Sequence, residues 1–573
     1  MRGDVCIVGT GPAGLTLALE LERSGLQIIM IEAGGPQVEP STQDAYGGEV
    51  VNPVHPPSQM YRQRRLGGSS GIWGGRCTPL DELDFVERDH VPFSGWPFPR
   101  SEVSPYYSRA QDAVEVGDYD YHAATALDDK PLIEGFRDAY VQTSNIERYS
   151  PPTRFWPRYR EALIRSRNVT VVTGASCIRF DAGDNHAVVQ AAECVGKDGR
   201  RFTVSARSFV AAVGGLETVR LLEFSKLGLG SGWLGRNYMC HVEINFAGLR
   251  LVPHDRGVVY GFEKSSDGIY VKRRFTLSSQ RQAQLGILNA AARIHHPSIL
   301  DPDHRDPVLS ALFLARKFII PEYARHFSIA NGRGDAGKYS LVDTNPVIRA
   351  VTERQGFFGQ HVRNVALGLP GLTKFGASWI AQRYIAPRKV PYIALRNANG
   401  SYALNIYGEQ APNRDSRVML GDTVDQNGVP RLKIDWRAQD IDYRTLAYTI
   451  REIRRALEES GCGTIEFDDQ QLDEDVRAQT VPVGGHHIGT ARMSDDPRQG
   501  VVDRNGLVHG TSNLYVAGAA TFPTSGQANP TLTIVALSLR LADHLGHSLS
   551  SNHGARAIRD TAEAQFTLDQ IPS

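Results

Sequence analysis

The chain has 573 residues, 41% of them hydrophobic, and its 63 Lys and Arg balance 63 Asp and Glu. Zero formal charge excludes the strongly basic footprint usual for nucleic-acid binding, and this length suits two or more lobes, each with its own core. The six cysteines (Cys6, Cys77, Cys177, Cys194, Cys240, Cys462) form no CxxC pair, so neither a zinc site nor a redox dithiol is indicated and no metal is expected.

The first element is a β-branched run, Val5-Cys6-Ile7-Val8, of the kind found in buried parallel strands. It starts so early that no secretory leader is expected. Scattered cysteines suit a reducing compartment, so a cytoplasmic protein is expected. Gly9-Thr10-Gly11-Pro12-Ala13-Gly14 follows directly, then an apolar helix ending near Ser24-Gly25, then a second strand, Gln27-Ile28-Ile29-Met30-Ile31, closed by Glu32. This is G-x-G-x-x-G in its strand–turn–helix–strand–acid setting, which predicts a dinucleotide site. Gly9 permits the turn, Gly11 lets the backbone approach a pyrophosphate, Gly14 allows close helix–strand packing, and Glu32 stands where ribose hydroxyls can donate to it. The helix N-terminus offers free N–H groups to the phosphates.

A glycine-rich loop spans residues 67–75, and strands are expected at 168–173 and 208–212, with a helix at 216–224. Residues 312–320 are apolar but interrupted by Arg316 and Lys317. They are read as buried in a substrate lobe rather than as a membrane-dipping segment, and no run reaches the ~18 apolar residues of a membrane span. Tyr402, Leu404 and Ile406 alternate as on one face of a strand, as do Leu432, Ile434 and Trp436. Leu446, Ile450, Ile453 and Leu457 form the core stripe of an amphipathic helix at 441–460. The last strand is expected at 514–517 and a final helix from about 530 to 545, with Asn529 as N-cap and Pro530 in its first turn. The polar tail beyond is expected to be loosely held.

Taken together, six motifs resemble the glucose–methanol–choline (GMC) oxidoreductase family over nearly the whole chain. They are the dinucleotide fingerprint with Glu32, Arg65-Leu66-Gly67-Gly68-Ser69-Ser70, residues 210–222, Leu234-Gly235-Arg236-Asn237, His486-His487-Ile488-Gly489-Thr490, and Gly526-Gln527-Ala528-Asn529-Pro530-Thr531. The last two look closest to the pyranose oxidase branch. The resemblance implies an α/β fold, with a Rossmann-like FAD-binding domain and a discontinuous α+β substrate domain on an antiparallel sheet. It divides the chain into FAD-binding segments at 1–100, 156–240 and 481–548, a connecting segment at 101–155, a substrate domain at 241–480 and a tail at 549–573. It implies cofactor contacts at Gly9, Gly11, Pro12, Ala13, Gly14, Glu32, Ala33, Arg65, Gly67, Gly68, Ser69, Ser70, Trp73, Gly74, Cys177, Ala212, Gly214, Gly518, Ala519, Asn529, Pro530 and Thr531. Covalent members of that branch carry a flavin-linked histidine before the loop tryptophan; Ile72 stands there, before Trp73, so noncovalent FAD is expected. Cys240 replaces a usual aspartate, with no evident chemical consequence.

The same resemblance assigns catalysis to His486 and Asn529. Histidine titrates near working pH and suits removal of an alcohol proton, and the asparagine amide can orient the hydroxyl and steady a developing alkoxide. His487 is given a supporting role. The expected reaction is oxidation of an alcohol on a sugar, glycoside or sugar-like compound by hydride transfer to flavin. The electron acceptor (oxygen, a quinone or a redox protein) is left open, and neither nucleic acid nor membrane is expected as a partner. An FAD-containing lyase or a non-sugar alcohol dehydrogenase on the same scaffold is the alternative.

Overall fold

The computed structural model describes residues 1–568 apart from 129, 184–185, 253–256, 316–355 and 398. Five strands lie parallel in the order Val169–Thr173, Ile28–Glu32, Arg2–Val8, Arg201–Ala211 and Leu514–Val516. The fully buried run Val5-Cys6-Ile7-Val8 sits at the centre of this sheet, which is why it carries no polar alternation. Strand Arg201–Ala211 is longer than its apolar end suggests. Its first half turns antiparallel with Ala191–Gly196, which in turn pairs Ala175–Asp181. Helix Pro12–Glu22 packs on this sheet beside the C-terminal helix.

A second, antiparallel sheet runs Gly463–Ile465, Val242–Leu251, Ser401–Gly408, Ala290–His295, Phe275–Leu277 and Val141–Gln142. Tyr402, Leu404 and Ile406 do share a face, and with Ile244, Phe246, Ala292 and Ile294 they build a core. Helix Asp440–Glu459 closes that core with its predicted stripe, Leu446, Ile450, Ile453 and Leu457, at most 1% exposed. The fold is thus an FAD-type α/β unit joined to a substrate-side unit on an antiparallel sheet.

One expectation changes, and another falls partly outside the described residues. The final helix runs Thr531–Leu568 instead of stopping near 545; Ala555, Ala557, Ala562 and Ala564 and the absence of proline before Pro572 give the tail more helix propensity than its polarity implies. The apolar segment 312–320 begins inside helix Pro307–Ala315, where Val308, Leu309 and Phe313 are buried; residues 316–320 lie outside the described residues.

Candidate active site

The carboxyl ends of four neighbouring parallel strands open onto one cleft of about 350 Å³, lined at those ends by Val8-Gly9, Ile31-Glu32-Ala33, Ala212-Val213-Gly214 and Ala517-Gly518. That is where an open α/β sheet places its ligand. Helix Pro12–Glu22 points its N-terminus, Gly11-Pro12-Ala13, into the cleft. Glu32 is held from inside: Oε2 accepts from Thr10 N (3.1 Å) and Thr10 Oγ1 (2.7 Å), and Oε1 accepts from Gly34 N (3.0 Å). A carboxylate has about four acceptor positions, so capacity remains for ribose hydroxyls. Burial raises the Glu32 carboxyl above its ordinary value, and the Gly34 and Thr10 bonds oppose that. Thr10 also accepts from Gly67 N at 3.3 Å, tying the first turn to the glycine-rich loop.

The glycines separate into two kinds. An added Cβ at Gly14 would stand 2.0 Å from the Gly9 carbonyl oxygen, and one at Gly9 would stand 2.5 Å from that of Ala212. These two serve packing. At Gly11, Gly74, Gly214 and Gly518, all on the cleft wall, a Cβ would meet nothing within 4 Å. Gly214 and Gly518 are also held at φ +84° and +129°, which by itself favours glycine, but neither packing nor backbone conformation requires the smallness of Gly11 and Gly74; a bound group approaching the backbone does, and this shape fits FAD. Two mutants therefore behave oppositely. Gly11→Val should fold with an unchanged apo-protein melt and purify without flavin, whereas Gly14→Ala should lose about 1–3 kcal/mol of stability through backbone displacement. Thermal melts and flavin absorbance per mole of protein check both, and a yellow Gly11→Val would place the cofactor elsewhere.

Of the other cofactor residues expected, Gly68, Ser69, Trp73, Cys177, Ala519, Asn529, Pro530 and Thr531 line the cleft. Arg65, Gly67 and Ser70 do not line it. Arg65 donates to the Pro36 carbonyl, and Ser70 Oγ donates to Gly67 O (2.6 Å) and accepts from Phe155 N (3.1 Å), so these residues shape the loop from behind. Sequence reasoning missed Arg62, Glu217, Arg220 and Asp425, which also line the cleft. Arg62 pairs with Glu217 (3.1 Å) and Arg220 with Asp425 (2.7 Å), all four with side chains at most 11% exposed. Glu217 and Arg220 lie within the 210–222 motif, but their partners Arg62 and Asp425 are 155 and 205 residues away, so no local spacing marks the pairs.

His486 and Asn529 meet at the cleft. Asn529 Nδ2 lies 3.3 Å from His486 Nε2, and Asn529 Oδ1 accepts from Arg76 Nε at 2.7 Å. Arginine has donors only, so Arg76 fixes which end of the amide faces His486. It follows that His486 Nε2 carries the lone pair and Nδ1 the proton, shared with His241 Nδ1 at 2.8 Å. Burial holds His486 well below its ordinary value, with His241, Arg76 and His487 pushing the same way. His241 is driven down to about 3, by burial first and then by Arg76. Both imidazoles are therefore neutral near pH 7, and His486 presents a base.

His487 turns elsewhere. Its Nδ1 lies 2.8 Å from Tyr238 OH, which is 2.9 Å from His55 Nε2. Cys240 Sγ donates to the same hydroxyl at 3.3 Å, so the cysteine in the aspartate position belongs to the Tyr238, His487 and His55 group. The side chain of Asn529 is engaged by Arg76 and His486, and the helix begins at Thr531, so the expected N-cap role is not the one its amide performs.

The other face of the antiparallel sheet was also missed. Glu243, Asn405, Tyr407 and Arg293 alternate with the core residues and line up across the strands. Asn405 Nδ2 donates to Glu243 Oε1 (2.6 Å), and the Arg76 and Arg293 guanidinia lie 3.8 and 5.2 Å from the Tyr407 ring centre. Arg293 Nε in turn donates to Glu147 Oε2 (2.6 Å). This polar layer packs against Arg76, the residue that holds Asn529. Among the described residues no His, Cys, Asp and Glu group is arranged to hold a metal, and the six cysteines are free thiols.

A family profile described as FAD dependent oxidoreductase matches residues 4–373, and one described as GMC oxidoreductase, C-terminal, matches residues 412–538. The chain is 24% identical to paromamine 6'-oxidase of Streptomyces fradiae, over 96% of this chain and 93% of that protein. It is 22% identical to 2-methyl-1,2-propanediol dehydrogenase of Mycolicibacterium austroafricanum, over 96% of both. A solved fungal aryl-alcohol oxidase superposes with a TM-score of 0.55 at 14% identity, covering 95% of this chain and 99% of that one, and shares the fold. The chain belongs to the FAD-dependent oxidoreductases, with a C-terminal segment that matches the GMC oxidoreductase model.

Proposed function

We propose that this protein oxidises an alcohol carried on a sugar, a glycoside or a sugar-like natural product, with His486 as the base and Asn529 orienting the hydroxyl. The observation that carries this reading is the His486 Nε2 to Asn529 Nδ2 approach of 3.3 Å, with its polarity set by Arg76. A hydroxyl entering between the two donates its proton to Nε2 and accepts from the amide. As the proton leaves, charge grows on that oxygen, and the amide N–H and the nearby Arg76 cation stabilise it. FAD, when bound, supplies the acceptor for the two electrons and hydrogen of the carbinol carbon. The two full-length relatives are named as an oxidase and a dehydrogenase, which supports the reaction type.

The cofactor is held without a covalent link in this reading. Ile72, on the cleft wall before Trp73, has no nucleophilic atom. Acid precipitation of the holoprotein should leave the flavin in solution.

Anaerobic mixing with a panel of sugars, glycosides and small diols, followed at the flavin absorbance, tests the reaction. Bleaching by a member of the panel is expected, and admission of oxygen then separates an oxidase from a dehydrogenase. Because His486 is shifted downward, its neutral form persists as pH falls, so the acid limb of the bleaching rate should lie below pH 6.5. A panel that binds without bleaching would favour the lyase alternative.

A further inference from the structure

Helix Leu369–Ile380 has an apolar sequence, LPGLTKFGASWI, yet no side chain of it is buried. The preceding helix Phe357–Leu367 buries only Phe357 and His361. Helices of this length are marginal in water unless one face packs. Seven of the eighteen well-exposed large apolar side chains among the described residues fall between positions 358 and 385, including Leu367 (74% exposed), Tyr384 (67%) and Ile385 (75%). Exposed apolar residues scattered singly need no explanation, but a concentration of them does.

The charge of this segment is one-sided. From residue 356 to residue 408 there is no Asp or Glu, while Arg363, Lys374, Arg383, Arg388, Lys389 and Arg396 are present. Arg363, Lys374 and Lys389 are exposed. Arg383 and Arg388 donate to backbone carbonyls and anchor the segment.

We propose that this helical face docks on an anionic lipid surface, with its apolar side chains at the headgroup–acyl boundary and its cations among the headgroups. An apolar segment whose own charged residues are all cations complements such a surface. It does not complement a second copy of itself, which would bring like charges together. The face is also joined to the site: Trp379 packs with Tyr149 and Tyr392, and Tyr149 donates to Glu147, the partner of Arg293 in the layer beside Arg76. The docking does not depend on the reaction proposed above.

Co-sedimentation of the holoprotein with vesicles tests this, comparing phosphatidylcholine alone with an equal mixture of phosphatidylcholine and phosphatidylglycerol. Binding to the anionic vesicles is expected, falling as salt is added. Arg363→Gln with Lys374→Gln and Lys389→Gln should weaken it about a hundredfold, and Leu367→Ser with Ile385→Ser about tenfold or more. All five positions are exposed, so flavin content and thermal melt should stay put. The proposal is overturned by absence of vesicle binding, by indifference to lipid charge, or by binding that survives both sets of changes. It is equally overturned by a soluble dimer that the Leu367/Ile385 variant dissociates, since the face would then be an interface between copies.

Discussion

His486→Ala is expected to slow flavin reduction by about 10²–10⁴-fold, the usual cost of losing a general base, while His487→Ala leaves that step nearly intact. The two rings are adjacent in sequence but bonded to different partners. The Nε2 lone pair of His486 faces the Asn529 amide, whereas His487 is held by Tyr238, itself held by His55. Removing His487 strips a partner from the buried Tyr238 hydroxyl, and the expected consequence is a loss of about 1–3 kcal/mol of stability. The two mutants should therefore separate by observable: rate for one, melting temperature for the other. Stopped-flow reduction under anaerobic conditions beside a thermal melt measures both. A larger loss of rate in His487→Ala would move the base by one residue.

Asn529→Asp is expected to produce the second large loss, on the order of 10²-fold or more in the reductive step. The substitution keeps the acceptor that Arg76 Nε reaches and removes the N–H that faces His486. A carboxylate oxygen then looks at the Nε2 lone pair, and the arrangement becomes favourable only when the imidazole is protonated. An opposite charge nearby favours the charged form, so the His486 pKa rises. The base form is then lost at a higher pH than in the parent, and the acid limb of the rate profile moves upward. The Arg76 cation beside the new carboxylate limits the cost to stability, so the melt should change little. Near-normal reduction with an unmoved pH profile would leave Asn529 without a chemical role.

Local motifs in the sequence were enough to mark the cofactor cleft and to single out His486 and Asn529, whose side chains the fold brings within 3.3 Å of each other. Strand, tight turn, helix and acid are contiguous from Val5 to Glu32, and the physical demand on each glycine is local: a turn at Gly9, an open approach at Gly11, helix packing at Gly14. The core face of the antiparallel sheet was legible for the same reason, since Tyr402, Leu404 and Ile406 follow a two-residue period. What alternation cannot tell is whether the opposite face meets water or a site. Only the packing of the sheet against Arg76 makes Glu243, Asn405, Tyr407 and Arg293 a layer beside Asn529. The Arg76–Asn529 bond joins residues 453 positions apart, and the His241–His486 contact joins residues 245 apart. No spacing rule spans such distances. The partners each histidine meets, the end of the amide that faces His486 and the nitrogen that carries its proton were therefore decided by tertiary structure, because a hydrogen bond is set by positions in space that the chain reaches only when both sheets are assembled.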